Sequence, residues 1–185
     1  HDMSYSITKK NASINKRSDM EQYPDMVYGF CLIRTIHFVV ALRQDFPNER
    51  ILISKFDFSD AYRRISLSGL AVVQTILIVQ SIAFLCLRLS FGGSVNPPTW
   101  CSFSEMVTDL SNEIPLMTDW DPKETKSPFQ KYVKDPTYLP DDIPLASAQS
   151  LAVKIFTTAL GRGDCFIDDI IKVMLDRKEI VSRHT

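Results

Sequence analysis

The alternation of apolar and polar positions predicts a chain of mixed helices and strands. From about Met26 to Phe46, apolar residues recur near helical spacing, and Pro47 ends the segment. The stripe of this helix consists of Phe30, Ile33, Ile36, Val39 and Val40. The run Ile51 to Phe58 has the length and the β-branched content of a strand. A helix followed by a strand is therefore expected here.

The apolar stretch from Leu70 to Leu87 allows two interpretations. It is nearly long enough for a membrane-spanning helix, which needs ~20 apolar residues. Two strands, around Val72 to Val79 and Ile82 to Leu89, explain the same pattern at least as well. Since glutamines interrupt the stretch, we prefer the two strands and predict no membrane partner.

A second helix is predicted from Asn96, which can cap it, with Pro97 at its first position. Its apolar stripe favours core packing over a base-stacking platform and consists of Trp100, Phe103, Val107 and Leu110. Prolines and charges over about residues 115–146 predict a long surface loop or insertion. Periodicity cannot decide whether Leu151 to Phe156 is a strand or a short helix.

Length and composition set the bounds of the fold. The 185 residues, 45% of them hydrophobic, allow a domain with a real core, preceded by a polar, poorly ordered segment at 1–24. The net charge of −1 gives no electrostatic support for nucleic-acid binding. The four cysteines lack a CxxC pairing, so they predict buried free thiols. With no visible signal peptide, we expect an intracellular protein of the cytoplasm or nucleus, not a secreted one.

An Asp-Asp pair lies between apolar residues in the run Cys165 to Ile171, which predicts strand, two-residue turn, strand. Asn-Gly or Asp-Gly would be the stable choice for such a turn. Two unit charges ~4 Å apart repel by roughly 4 kcal/mol at an effective dielectric near 20. A divalent cation would remove that penalty, which favours Asp168 and Asp169 as metal ligands over a solvated acidic loop.

A third carboxylate, Asp57, lies in the strand predicted from Ile51 to Phe58. Alternation places it on the same face as Ile51 and Ile53, where a carboxylate is costly unless it meets a cation. Asp60 stands at the N-cap position of a helix start whose N–H groups suit a triphosphate, although an ordinary capped turn explains Asp60 equally well. Asp57, Asp168 and Asp169 together supply what a two-metal phosphoryl-transfer site needs.

These runs resemble the motifs of a polymerase family. The run Lys55 to Ile65 resembles motif A of retroelement-type reverse transcriptases, and Phe166 to Asp169 resembles their aromatic-x-Asp-Asp motif C. Between them, Leu89 to Trp100 resembles motif B, in which a Phe-Gly turn leads into a helix. The ordered set of three is more specific than any one motif, and the resemblance covers about Tyr28 to Leu175.

The resemblance implies RNA-directed DNA polymerase activity by a two-metal mechanism. Asp57, Asp168 and Asp169 would be catalytic and would hold two Mg²⁺ (or Mn²⁺) ions, and the carbonyl of Phe58 would also meet a metal. The implied partners are an RNA or DNA template with its primer, and a dNTP.

The same resemblance implies a nucleotide-binding set. Its members are Ser59, Asp60, Ala61, Tyr62, Phe91 and Gly92. The backbone around Asp60 would meet the triphosphate, and Tyr62 would crowd the sugar 2′ position. Phe91 and Gly92 would line the incoming nucleotide. Arg63 and Arg64 could contact phosphates, although a solvated helix face is the preferred interpretation.

We therefore expect an α+β fold, in which an antiparallel palm-type sheet carries motifs A and C and is backed by helices. Residues 25–185 would form partial fingers and palm. No counterpart of the family's thumb is visible, so we expect that subdomain, and possibly a ribonuclease H domain, from a parent polyprotein, with weak or no activity of this chain alone. Two alternatives stay open: a catalytically inactive retroelement-derived nucleic-acid-binding or interaction module, and another metal-dependent phosphotransferase such as a nuclease.

Overall fold

The described part of the chain covers most of its length. The computed structural model describes residues 2–6, 8, 10–23, 26, 30–136 and 160–185. The predicted element at Leu151 to Phe156 and the end of the proline-rich segment lie outside these residues. The chain divides into two compact units: unit 1 is His1–Val27 with Phe58–Ser104, and unit 2 is Tyr28–Asp57 with Glu105–Thr185. The predicted boundary after residue 24 stays a prediction.

The described residues form an α+β fold, as predicted. The α-helices are α1 Ile14–Arg17, α2 Cys31–Asp45, α3 Gly69–Gln74, α4 Asn96–Glu113 and α5 Lys178–His184. The strands are β1 Ile51–Asp57, β2 Leu77–Val79, β3 Ile82–Phe84, β4 Gly161–Phe166 and β5 Asp169–Leu175. Short 3₁₀ turns lie at Met20–Gln22, Ala61–Arg64, Ile114–Leu116 and Gln130–Tyr132.

The sheet of unit 2 has the order β1-β5-β4, and both of its strand pairs are antiparallel. Strand β1 carries the first part of the run that resembles motif A, and the β4–β5 hairpin carries the run that resembles motif C. The β1–β5 register runs from Ile51 opposite Leu175 to Asp57 opposite Asp169. The prediction that motifs A and C share an antiparallel sheet is therefore confirmed at the level of strand pairing.

Helix α2 covers one end of this sheet. Its side chains Phe38 and Leu42 form a buried core with Val173 and Leu175 of β5. The predicted helix exists, but its apolar stripe is not the face that packs on the sheet, since Ile33 is 52% exposed and Ile36 is 60% exposed. The helix is apolar on more than one face, so helical spacing alone selected the wrong one.

The edge strand β4 contains the run Gly161 to Asp164, whose two glycines and aspartate have low strand propensity. Asn112 of α4 compensates by bonding both main-chain groups of Gly163. Its Oδ1 accepts from the Gly163 N–H at 2.7 Å, and its Nδ2 donates to the Gly163 carbonyl at 2.9 Å. A buried edge thereby keeps its polar groups satisfied.

The predicted second helix exists as α4, but it begins at Asn96, one residue before the predicted first position Pro97, so Asn96 is inside the helix and is not its cap. Its apolar stripe is only partly core. Trp100 is fully buried, whereas Phe103 and Leu110 are exposed. Asn96 uses its side-chain amide to donate to the Ser90 carbonyl.

In unit 1 the predicted strand at Val72 to Val79 was wrong over its first part. Residues Gly69–Gln74 form α3, because Ser68 caps the helix by accepting from the Ala71 N–H at 3.3 Å. Strands β2 and β3 then form a two-stranded hairpin, and β3 ends at Phe84, short of the predicted Leu89. Across the described ranges, no helix is both long enough and apolar enough to span a bilayer.

Candidate metal centre

Two of the three predicted metal ligands face each other across neighbouring strands. Asp57 is the last residue of β1, Asp169 is the first residue of β5, and the two are Cα partners in the antiparallel register. Side chains at directly opposed positions have Cβ atoms about 4.5–5.5 Å apart. Like charges in that arrangement repel, so the strand ends carry an unfavourable pair unless a cation lies nearby.

The third acid, Asp168, lies in the hairpin turn between β4 and β5. Phe166 pairs with Asp169, so the two turn residues are Ile167 and Asp168. The predicted two-residue turn is confirmed, but it begins one residue earlier than the Asp-Asp pair. Asp169 therefore belongs to the strand, which brings it opposite Asp57 instead of into the loop.

Ile167 adopts a left-handed backbone conformation, with φ of 60°. A β-branched residue is strained there, and a conformation of this kind costs about 1–3 kcal/mol. Glycine would relieve the strain at this position of a two-residue hairpin turn. The turn that presents Asp168 is thus built at some expense in stability.

Lys55 provides positive charge at this cluster of acids. Its Nζ lies 2.8 Å from Asp169 Oδ2. The hydrogen bond to Asp169 raises the pKa of Lys55, and the charges of Asp57 and Asp168 raise it further. One ammonium therefore interacts with all three carboxylates. Sequence reasoning did not assign Lys55 a role, although the period of two places it on the same strand face as Asp57.

The sheet face that carries Asp57 is open at this end. Both Asp57 and Ile53 are exposed, whereas Asp168 and Asp169 are half-buried. The expectation that burial makes a carboxylate costly on this face was therefore wrong for Asp57. Mutual repulsion between the acids, not desolvation of Asp57, is the unfavourable term here.

Carboxylates are the ligands that Mg²⁺ and Mn²⁺ prefer, so the chemistry of the three acids fits the predicted ions. Among the residues that the structure describes, no group of three or more histidine, cysteine, aspartate or glutamate side chains is arranged to hold a metal ion. Asp169 instead points its carboxylate at the Lys55 ammonium. The donor set thus fits the metals by chemical type, and the register pairs two of its members, one of which is engaged by the lysine.

The predicted nucleotide-binding residues lie in unit 1. Asp60 has φ of 56° and precedes a four-residue 3₁₀ turn, Ala61–Arg64, that it does not cap with its side chain. The expected capped helix start is therefore wrong. Arg64 donates from Nε to the Ser59 carbonyl at 2.8 Å, and Arg63 lies 3.7 Å from Asp60. Both arginines are exposed, in agreement with a solvated face.

An aromatic cluster surrounds Tyr62 within unit 1. The Tyr62 ring lies 4.9 Å from that of Phe91 and 6.1 Å from that of Trp100, measured between centroids. The Phe58 ring meets Trp100 edge-on at 5.2 Å. Tyr62 and Trp100 are buried, whereas Phe91 is exposed. The structure thus brings two predicted nucleotide-binding residues, Tyr62 and Phe91, into contact.

Asn15 holds the Phe91-Gly92 turn in the run that resembles motif B, a role that the sequence did not reveal. Its Nδ2 donates to the Gly92 carbonyl at 2.9 Å, and its Oδ1 accepts from the Ser94 N–H at 2.8 Å. Gly92 has φ of 98°, which a residue with a Cβ rarely adopts. Since Asn15 lies 77 positions from Gly92, no local signal pointed to the pair.

Comparisons with known proteins give no relative for the chain. No family model matches it, no curated protein matches it, and no solved structure matches it. The interpretation as a reverse transcriptase therefore depends on the three motifs and on the geometry described above.

Proposed function

We propose that this chain carries the catalytic acids of a template-directed nucleotidyl transferase, with RNA-directed DNA synthesis as its reaction. The observation that carries the proposal is the strand register, in which Asp57 of motif A lies directly opposite Asp169 of motif C. Two segments more than a hundred residues apart thereby contribute carboxylates to the same end of one sheet. A structural sheet would gain nothing from opposed like charges at that position.

Asp57, Asp168 and Asp169 would hold two Mg²⁺ or Mn²⁺ ions, which when bound lower the pKa of the attacking hydroxyl and stabilise the departing pyrophosphate. The protein's own contribution is to hold the three carboxylates on rigid strand ends, which suits a reaction dominated by positioning and charge neutralisation. The carbonyl of Phe58, the residue after Asp57, is proposed as a further ligand.

Unit 1 supplies the proposed nucleotide-binding residues. Tyr62 is held by aromatic contacts with Trp100 and Phe91, so its ring is fixed in the manner expected of a residue that selects by shape. Gly92 is exposed and has no side chain, so a nucleotide could approach its backbone closely, while its carbonyl accepts a hydrogen bond from Asn15. We propose that Ser59, Asp60 and Ala61 contact the triphosphate through their backbone, without the helix start that the sequence predicted.

The test is single-nucleotide incorporation with enzyme in excess over a labelled primer on an RNA template. We expect Mn²⁺- or Mg²⁺-dependent addition of one nucleotide by the wild-type chain, abolished in Asp57→Asn and in Asp169→Asn. Extension that is indistinguishable between the wild type and these variants contradicts the proposal. Robust processive synthesis by the wild type would instead contradict the expectation of weak activity in isolation.

The same assay discriminates the two alternatives. Shortening of the primer or template without incorporation, dependent on Asp57, indicates a nuclease. Binding of the RNA–primer duplex that is unaffected by Asp57→Asn, without any reaction, indicates an inactive nucleic-acid-binding module.

A further inference from the structure

Lys55 lies where a divalent cation would neutralise the acids. Its ammonium is 2.8 Å from one carboxylate oxygen of Asp169 and interacts electrostatically with Asp57 and Asp168. No second lysine or arginine within the described ranges forms an ion pair with these three aspartates. The lysine thus removes part of the repulsion that the strand register creates.

We infer that Lys55 is a displaceable counter-ion of the metal centre, which occupies the acids until a divalent cation replaces its ammonium. The inference rests on the proposed function, because it concerns the same three carboxylates. It assigns to Lys55 a role in setting the metal concentration at which the centre fills. A metal that takes Asp169 Oδ2 as a ligand must displace the lysine ammonium from it.

The exposure of Lys55 makes the exchange easy. Its side chain is 62% exposed, so its ammonium moves into water without leaving a buried charge behind. Its flexible four-carbon stem reaches many positions, and a single Nζ–Oδ contact holds it.

A second ion pair on the same sheet face, Arg34 with Asp164, is less exposed and more firmly held than the Lys55 pair. Arg34 grips Asp164 through two guanidinium nitrogens, and the Asp164 side chain is only 11% exposed. A bidentate, buried pair of this kind cannot separate without leaving an uncompensated charge in the protein. Of these two aspartates, only Asp169 has a partner that is free to depart.

The test is a titration with Mn²⁺ alone at low ionic strength, in which electron paramagnetic resonance measures the free ion. The variants are Lys55→Met, Lys55→Arg, Lys178→Met and the double variant Asp57→Asn/Asp169→Asn. Lys178 is the matched control, because its side chain is as exposed as that of Lys55 and forms an ion pair with Asp135 at 3.0 Å in the same unit. Its loss changes the net charge equally without touching the acids.

We expect Lys55→Met to bind Mn²⁺ about two- to fivefold more tightly than the wild type, the range that exposed ion pairs contribute. Lys55→Arg and Lys178→Met should bind no more tightly than the wild type. Equal or weaker binding by Lys55→Met overturns the inference while leaving the metal centre intact, provided that the double variant loses binding. Mn²⁺ binding by neither the wild type nor Lys55→Met overturns the metal centre itself. Thermal denaturation of each variant verifies that the protein is folded.

Discussion

Two aspartates on one face of the unit 2 sheet, Asp164 and Asp169, differ in their burial and in the kind of ion pair they form. Asp164 of β4 lies opposite Ile171, and Ile171 shares its face with Asp169. Helix α2 covers the first aspartate and supplies Arg34 as a bidentate partner. The second lies at the open end of the sheet beside the exposed Lys55.

The difference shows how burial decides what an ion pair is for. A covered pair has no water to replace a lost partner, so it is permanent and fixes α2 on the sheet. An open pair contributes little to stability and can exchange its cation. The same chemistry thus gives a structural link where α2 covers the sheet and an exposed ion pair two residues further along β5, at the open hairpin end.

Removal of the covered partner should have the largest effect. Arg34→Met keeps the helix propensity of α2 but leaves Asp164 buried without a cation, with the Cys165 N–H still donating to its carboxylate. Because the Arg34 side chain is itself 39% exposed, we expect a loss of about 2–3 kcal/mol in the free energy of unfolding, the lower part of the range for buried pairs. Urea denaturation measures the loss. Lys55→Met is the matched control, with a much smaller expected change because its ion pair is exposed to solvent. Equal losses in the two variants would contradict the comparison.

The strained turn between the two aspartates offers a change in the other direction. Ile167→Gly should raise the free energy of unfolding by about 1 kcal/mol, because glycine adopts the φ of 60° without a Cβ penalty. If the strain serves to present Asp168, the same variant should bind Mn²⁺ more weakly than the wild type. Urea denaturation and Mn²⁺ titration measure the two effects. A destabilised Ile167→Gly would show that the side chain contributes more by packing than the backbone loses by strain.

An ion pair of intermediate burial sharpens the comparison through pH. Arg177 bonds Glu49 through two nitrogens, at 2.6 and 2.7 Å, and this hydrogen bonding lowers the pKa of Glu49 below its ordinary 4.5. The unfolded chain therefore takes up the proton first as pH falls. The pair's contribution, about 1 kcal/mol, is complete above that ordinary value and is lost as pH falls through the lower, folded pKa.

Glu49→Gln tests this pH dependence, because glutamine keeps the shape but cannot titrate. We expect the free energy of unfolding of the wild type to decline more steeply than that of Glu49→Gln as pH falls below about 4.5. Denaturant melts at several pH values on both sides of this point provide the measurement. Parallel decline of the two proteins would show that the pair contributes nothing.

The sequence predicted the parts of this site that local chemistry determines. The motif A strand, the two-residue turn and the start of α4 follow from β-branched content, apolar flanks and an Asn-Pro signal. The long-range hydrogen-bond partners could not be predicted from the sequence: Arg34 for Asp164, Asn112 for Gly163 and Asn15 for Gly92. Such contacts depend on tertiary packing, which also selects the face of α2 that is buried.

The smallest predicted effect separates stability from function at the open end of the sheet. Asp57→Asn removes one of two opposed negative charges, so without metal it should stabilise the protein by about 0.5 kcal/mol. The exposure of Asp57 and the nearby Lys55 ammonium keep this gain small.

Added Mn²⁺ should raise the melting temperature of the wild type but not that of the variant, because a cation that binds only the folded state stabilises it. Scanning calorimetry with and without Mn²⁺ measures both effects. Ser54→Ala, on the opposite face of β1, serves as a control that should keep the response to Mn²⁺. A wild-type melting temperature that is insensitive to Mn²⁺, together with an Asp57→Asn variant that is less stable than the wild type, would mean that the opposed acids serve the fold and not a metal.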